Sequence, residues 1–223
     1  MKNNFIIALD GPAASGKSTT AKLLAKKLGY IYIDTGAMYR ACALSSLNKQ
    51  ISLDNLNLLN KMLNEIDILI KQTNQGNKIF LDGEDVSEKI REENISLLSS
   101  KIASIPEVRK KMVALQQKMG ANGAVVMDGR DIGTVVFPNA DFKFFIVASY
   151  SVRAKRRWQE LQNKGINSDL KKIEEELKWR DKNDSERTCS PLVKAKDAYE
   201  IDTTNLSINE QVEMILKIIN KER

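Results

Sequence analysis

The sequence predicts an α/β fold: a doubly wound, five-stranded parallel sheet with helices on both faces and two added segments at its ligand edge. Five short β-rich runs, at 5–9, 30–33, 124–127, 142–147 and 198–201, are separated mostly by stretches of helical periodicity. The first three stop at Asp10-Gly11, Asp34-Thr35-Gly36 and Asp128-Gly129, where a parallel strand hands over to a loop.

Run 5–9 is continuously apolar and bounded by Asp10-Gly11-Pro12, the pattern of a strand buried on both faces. Helix 18–28 follows, with Ala21, Leu24, Ala25 and Leu28 on one side and Gly29 as its stop. Strand 30–33 leads to a helix over 37–47. The closing helix puts Val212, Ile215, Leu216 and Ile219 on one face, and Ser207 with Glu210 spells a capping box at its start.

Two stretches break the alternation. Residues 51–120 hold two helical segments around a hairpin-like piece (66–70, 78–81, Asp82-Gly83), and 151–187 is helical and dense in Lys, Arg and Glu. They are expected to be an insertion and a mobile lid. The remaining core, 1–50, 121–150 and 188–223, completes one domain spanning 1–223.

Composition narrows the chemistry. The chain has 223 residues, two cysteines (Cys42, Cys189) and no histidine. Ser-His-Asp hydrolysis, histidine acid–base catalysis and His-ligated metal sites are excluded, as are a disulfide framework and a four-thiolate zinc site. No run approaches the roughly 18–20 apolar residues that span a bilayer, and the N-terminus is too short in apolar residues for a secretory signal. A cytoplasmic location is expected. The formal charge of +6 suits polyanions of any size.

The segment Gly11-Pro12-Ala13-Ala14-Ser15-Gly16-Lys17-Ser18-Thr19 matches G-x-x-x-x-G-K-[ST], the P-loop pattern, between a buried strand and an amphipathic helix. Backbone amides curl around a phosphate, and the helix N-terminus aims its dipole at the same anion. Lys17 reaches the β/γ-oxygens and the Ser18 hydroxyl ligates Mg²⁺ accompanying ATP. The fold is thus expected to be of the P-loop NTPase type. None of the Asn-Lys pairs (at Asn48, Asn60, Asn77, Asn163, Asn220) has Asp two residues after its lysine, so the guanine-reading N-K-x-D of switch GTPases is absent. A short P-loop chain with one insertion and an Arg-rich lid fits a small-molecule kinase.

For the second substrate, Asp34-Thr35-Gly36-Ala37-Met38-Tyr39-Arg40 and Asp128-Gly129-Arg130-Asp131 both follow strands at the crevice edge. The first pattern serves equally a sugar and phosphate site or an N-cap threonine with a surface arginine. In the second, three charges at a strand end need solvent, each other or a ligand, and a ligand is favoured.

Taken in order, GPAASGKST, DTGAMYR, LDGEDVSEKIR, SIPEVRKKMVALQ, DGRDIGTVVFP, ASYSVRAKRRWQELQNKG and RTCSPL resemble the bacterial cytidylate kinases from end to end. The resemblance implies transfer of the γ-phosphate of ATP to CMP or dCMP. It implies cytosine contacts at Ser100, Arg109 and Asp131, monophosphate contacts at Arg40 and Arg130, and sugar contacts at Thr35 and Asp184 with Arg187 nearby. Arg153 and Arg157 would approach ATP from the lid, and Arg180 and Arg187 would face the transferred group. Lys155, Arg156 and Lys178 serve equally as solvated charges. ATP and CMP or dCMP are then the expected partners of a monomer, with neither nucleic acid nor membrane involved. A kinase of another small acceptor, a nucleic-acid-binding P-loop protein and a non-catalytic nucleotide sensor are the rival readings.

Overall fold

The structure, a computed structural model, describes residues 4–73 and 76–222. Strand β1 (Ile6–Asp10) runs into the phosphate-loop segment and then α1 (Lys17–Leu28). Strand β2 (Ile31–Asp34) passes directly into α2 (Thr35–Asn48). That helix starts two residues before its periodicity predicts because the Asp34 carboxylate accepts the Ala37 amide at 2.8 Å and caps it. Thr35 is not the cap.

Residues 51–120 carry α3 (Leu56–Glu65), an antiparallel sheet of β3 (Ile68–Thr73), β4 (Gly76–Leu81) and β5 (Glu84–Asp85), then a 3₁₀ turn at Lys89–Arg91. Two more helices follow, α4 (Glu93–Ile102) and α5 (Pro106–Gly120). The expectation of two helical segments here is corrected to three α-helices among the described residues. Pro106 is the reason: it holds Ile105 extended, at φ −81° and ψ 122°, and opens a new helix at its first position.

The chain returns to the main sheet with β6 (Val125–Gly129), turns through a π-helical stretch at Ile132–Val136, and continues as β7 (Phe142–Val147). Helices α6 (Tyr150–Asn163) and α7 (Leu170–Glu186) precede β8 (Tyr199–Asp202) and the closing α8 (Ile208–Lys221). The five-stranded sheet is parallel throughout, in the order β2-β6-β1-β7-β8. Because β6 enters between β2 and β1, Asp34 lies beside Asp128, and Asp10 lies beside Gly129.

Both faces of the sheet are covered, which explains the unbroken apolar runs. One face buries Ala8, Ile33 and Met127 with α2 and with Leu59, Met62, Ile79, Ile95 and Met112 of segment 51–120. The other buries Ile7, Leu9, Val126 and Phe144 against Leu24 of α1 and Val212, Ile215 and Ile219 of α8. Fully burying each such side chain contributes about 1.5–3 kcal/mol. No helix among the described residues is long and apolar enough to cross a membrane.

The capping box forms at the start of α8: the Glu210 amide donates to Ser207 Oγ at 3.3 Å, and the Ser207 amide donates to Glu210 Oε2 at 2.8 Å. Replacing Ser207 by Ala is expected to cost about 1 kcal/mol, read as a lower urea midpoint with an unchanged slope.

Candidate active site

The carboxyl ends of β1, β2 and β6 open onto a cleft of about 840 Å³. Its floor is the loop before α1. Gly11 is required there by the neighbouring strand: a Cβ would lie 2.2 Å from the Ile146 carbonyl oxygen, at φ +150°. Close packing onto β7 is by itself enough to require Gly11. Gly16, at φ 93°, is the left-handed N-cap of α1 and offers no side-chain cap, and the first turn holds no acidic residue. The amides and dipole of that helix end are left for an external anion.

The loop is gripped from outside. The Ala13 carbonyl accepts from Arg153 at 3.0 Å, and that of Ser15 accepts from Thr203 at 2.8 Å and Arg156 at 3.1 Å. These bonds fix the orientation of the Ala14 and Gly16 peptide units.

Lys17 is buried, and its ammonium donates to the Pro12 carbonyl at 3.0 Å. Burial, helped by the nearby Arg130 charge, pulls its pKa down to about 7. Ser18 Oγ donates to Asp128 Oδ2 at 2.6 Å, while the Tyr32 hydroxyl donates to Asp128 Oδ1 at 2.8 Å. Burial and the neighbouring Asp34 carboxylate push Asp128 up to about 6. The Thr35 hydroxyl donates to the Asp128 backbone carbonyl at 2.7 Å, tying α2 to β6.

On the opposite wall the arginines rest on carboxylates. Arg40 Nη2 lies 3.1 Å from Asp34 Oδ2, and Arg130 Nε lies 2.7 Å from Asp184 Oδ2. Arg109 donates from Nη2 to Asp131 Oδ2 in a buried pair, and its other amino group donates to the Ala103 carbonyl at 3.1 Å. Arg187 stands 3.9 Å from Asp131 and 3.8 Å from Asp184. Burial, with Arg109 close by, lowers the Arg187 pKa; burial and Arg157 lower that of Arg180. For Arg130 burial acts in the same sense, but Asp184 outweighs it and the pKa rises.

Several buried donors remain unpartnered here among the described residues: Tyr39 OH, Arg40 Nε, Arg109 Nε, Arg180 Nε and Arg187 Nη2. Ten basic side chains line the cleft against five carboxylates. The arrangement selects a polyanion with further hydrogen-bond acceptors.

The chain matches the family model described as Cytidylate kinase over residues 7–221. A cytidylate kinase from Geobacillus sp. (strain WCH70) is 51% identical over 221 residues, covering 99% of each chain.

The chain belongs to the cytidylate kinase family.

The cytidylate kinase of Bacillus subtilis (strain 168) is 49% identical, over 100% of this chain and 99% of its own length. At the level of fold alone, the chain is similar to the crystal structure of a gluconokinase from Sinorhizobium meliloti 1021, with a TM-score of 0.51, 14% identity, and coverage of 99% and 94% of the two chains.

Of the residues that the family resemblance singles out, Lys17, Ser18, Thr35, Arg40, Ser100, Arg109, Arg130, Asp131, Arg157, Arg180, Asp184 and Arg187 all line the one cleft. Arg153 does not. It is buried, and its guanidinium is spent on the Ala148 and Ala13 carbonyls and on Asp181, at 3.1, 3.0 and 2.6 Å. It fastens α6 and α7 to the phosphate loop. Arg156, which the sequence leaves open between a lid contact and a solvated charge, is in the cleft wall and bonded to the loop.

Sequence reasoning assigned no role to Asp10 or Tyr32, and took Asp128 only as one of three strand-end charges facing a ligand. The available signal was the repetition of Asp at three strand ends. Replacing Arg153 by Met is expected to destabilise the protein by about 3–5 kcal/mol, because Asp181 is left buried and unpaired. A second change, Asp181→Asn, should recover part of that loss in urea unfolding.

Proposed function

We infer that this cleft is where the γ-phosphate of ATP passes to CMP or dCMP. The carrying observation is the convergence of an uncapped, acid-free helix start with unpartnered guanidinium and hydroxyl donors in one cavity. The chain is a kinase by family, and the arrangement provides one place for a triphosphate and, opposite, one for a monophosphate.

The triphosphate end takes the amides of residues 11–19 and Lys17. Arg156 and Arg157 border it from α6. Ser18 and Asp128 fit Mg²⁺: they lie together, and a cation would relieve the burial that raises Asp128. No cluster of three or more acidic or thiol ligands occurs among the described residues, so the ion would arrive with the nucleotide and keep waters. Held by these residues, a magnesium ion would supply neutralisation of the phosphate charge.

The acceptor end takes Arg40 and Arg130 on the phosphate. Thr35 and Asp184 lie at the sugar, where Asp184 also holds Arg130 in place. Ser100, Arg109 and Asp131 face the cytosine edge. A carboxylate accepts from the N4 amino group, and a guanidinium donates to N3 and O2. Arg180 and Arg187 complete the charge around the transferred group. The acceptor oxygen belongs to an ionised phosphate, so no strong base is needed. Segments 51–120 and 151–187 close over the two nucleotides and exclude water. A cytoplasmic monomer acting on small molecules is the corresponding cellular reading.

The deciding assay is ADP release with CMP, dCMP, UMP and AMP as acceptors and magnesium present. Turnover with CMP or dCMP is expected; none with either would refute the assignment.

Lys17 gives a separate test. With a pKa near 7 in the free protein it is mostly neutral at pH 8, and phosphate anions raise that pKa. Binding of a non-hydrolysable ATP analogue at pH 8 should therefore take up close to one proton, and affinity should fall as pH rises above 7. Asp128, at about 6, is already ionised at pH 8 and adds nothing. Calorimetric titration in buffers of different ionisation enthalpy measures the uptake; Lys17→Met should abolish it.

A further inference from the structure

Asp10 is the last residue of β1, is 5% exposed, and does not itself line the cleft. Its two carboxylate oxygens accept the backbone amides of Ile132 and Gly133, each at 2.8 Å. Those two amides open the π-helical turn Ile132–Val136, whose N-cap residue is Asp131.

An aspartate at an N-cap ordinarily folds back and accepts the amides two and three residues ahead. Asp131 does not: it makes no side-chain cap bond. Its backbone carbonyl still accepts from Val135 and Val136 at 2.9 and 3.1 Å, so the π turn closes on it without the side chain. Its carboxylate instead pairs with Arg109 and lies within 3.9 Å of Arg187. The space beside the turn is filled closely: a Cβ on Gly133 would stand 3.1 Å from Lys143 Cδ and 3.4 Å from Asp10 Oδ2.

We propose that Asp10 caps the turn in place of Asp131, and so leaves the Asp131 carboxylate free to face the cleft. Asp10 is a positioning residue of the acceptor site, although it belongs to the strand that launches the phosphate loop. Removing its acceptors leaves two buried amides unsatisfied, and Asp131, as the N-cap residue, has the carboxylate placed to take that of Gly133. Turning back to do so would take it from Arg109 and from the base. The inference rests on the reading of Asp131 as a cytosine contact.

The test is a double-mutant cycle on the full chain with Asp10→Asn and Asp131→Ala, measuring kcat and KM for CMP, UMP and ATP. Asp10→Asn keeps the volume but replaces one acceptor by an amino donor. It is expected to lower kcat/KM for CMP by about tenfold and to narrow the CMP/UMP ratio, with KM for ATP within about twofold of wild type. In the Asp131→Ala background the same change should alter that ratio by less than about twofold, because the side chain it frees is gone. An undiminished effect in that background, or equal damage to the CMP and ATP constants, overturns the inference while leaving Asp131's role standing. If Asp131→Ala alone leaves the CMP/UMP ratio unaltered, the base-reading role itself fails, and the inference with it. Asp10→Ser, whose hydroxyl accepts one amide, is the second variant should Asp10→Asn not fold; the same ordering is expected of it.

Discussion

Three neighbouring strands, β2, β6 and β1, bring Asp34, Asp128 and Asp10 to one edge of a sheet covered on both faces. A row of carboxylates in such a place is costly unless each is supplied with donors. The supply differs at each strand, and each solution builds a different part of the cleft. Asp34 takes a helix amide and Arg40. Asp128 takes the Ser18 and Tyr32 hydroxyls. Asp10 takes two amides of the turn that follows Asp131. Supplying donors to these three acids, of which Asp10 and Asp128 are buried, therefore fixes the start of α2, the first turn of α1 and the loop carrying Arg130 and Asp131 relative to one another.

The ion pairs on the acceptor wall divide by burial. In Arg40–Asp34 both side chains are about a quarter exposed, at 26% and 25%. Pairs of that kind are worth about 0–1 kcal/mol, so an incoming doubly charged phosphate can draw the guanidinium away at little cost. Arg109–Asp131 is 3% and 5% exposed. Breaking it would strand a buried charge, at about 3–5 kcal/mol. The cleft thus has a loosely held cation at Arg40 and a fixed pair at Arg109 and Asp131, which suits the proposed phosphate and base contacts respectively. Geometry that must discriminate is held stiffly, and charge that must be delivered is held loosely.

The sheet and the phosphate loop were legible because their signals are local. A strand buried on both faces has to be apolar, and the spacing of Gly11, Gly16, Lys17 and Ser18 is set by the loop's own path. Even so, the requirement for Gly11 comes from the Ile146 carbonyl, a contact across the sheet that no local pattern encodes. Arg153 and Arg156 show the same limit. They lie three residues apart on one helix rich in charge, yet Arg153 is buried against Ala13 and Asp181 while Arg156 borders the cleft. Only the packing of α6 on α7 and on the loop distinguishes them. The division of 93–120 into two helices was, by contrast, written in Pro106.

The two segments added to the sheet are attached by different physics. Segment 51–120 shares one apolar core with β1, β2, β6 and α2, through Leu59, Met62, Ile79, Ile95 and Met112. Segment 151–187 has a small cluster of its own, Ala154, Leu161, Ile173 and Leu177, which meets the rest of the molecule at Ala13 and Ala14. Its remaining hold on the phosphate loop is polar, through Arg153 and Arg156 on backbone carbonyls. Water can replace donors to a carbonyl but cannot replace apolar contact, so releasing the two-helix segment from the loop would cost less free energy than releasing the insertion from the core. The arginines it carries into the cleft, Arg157, Arg180 and Arg187, are therefore on the segment with the smaller apolar hold, and Ser100 and Arg109 on the segment that shares the main core.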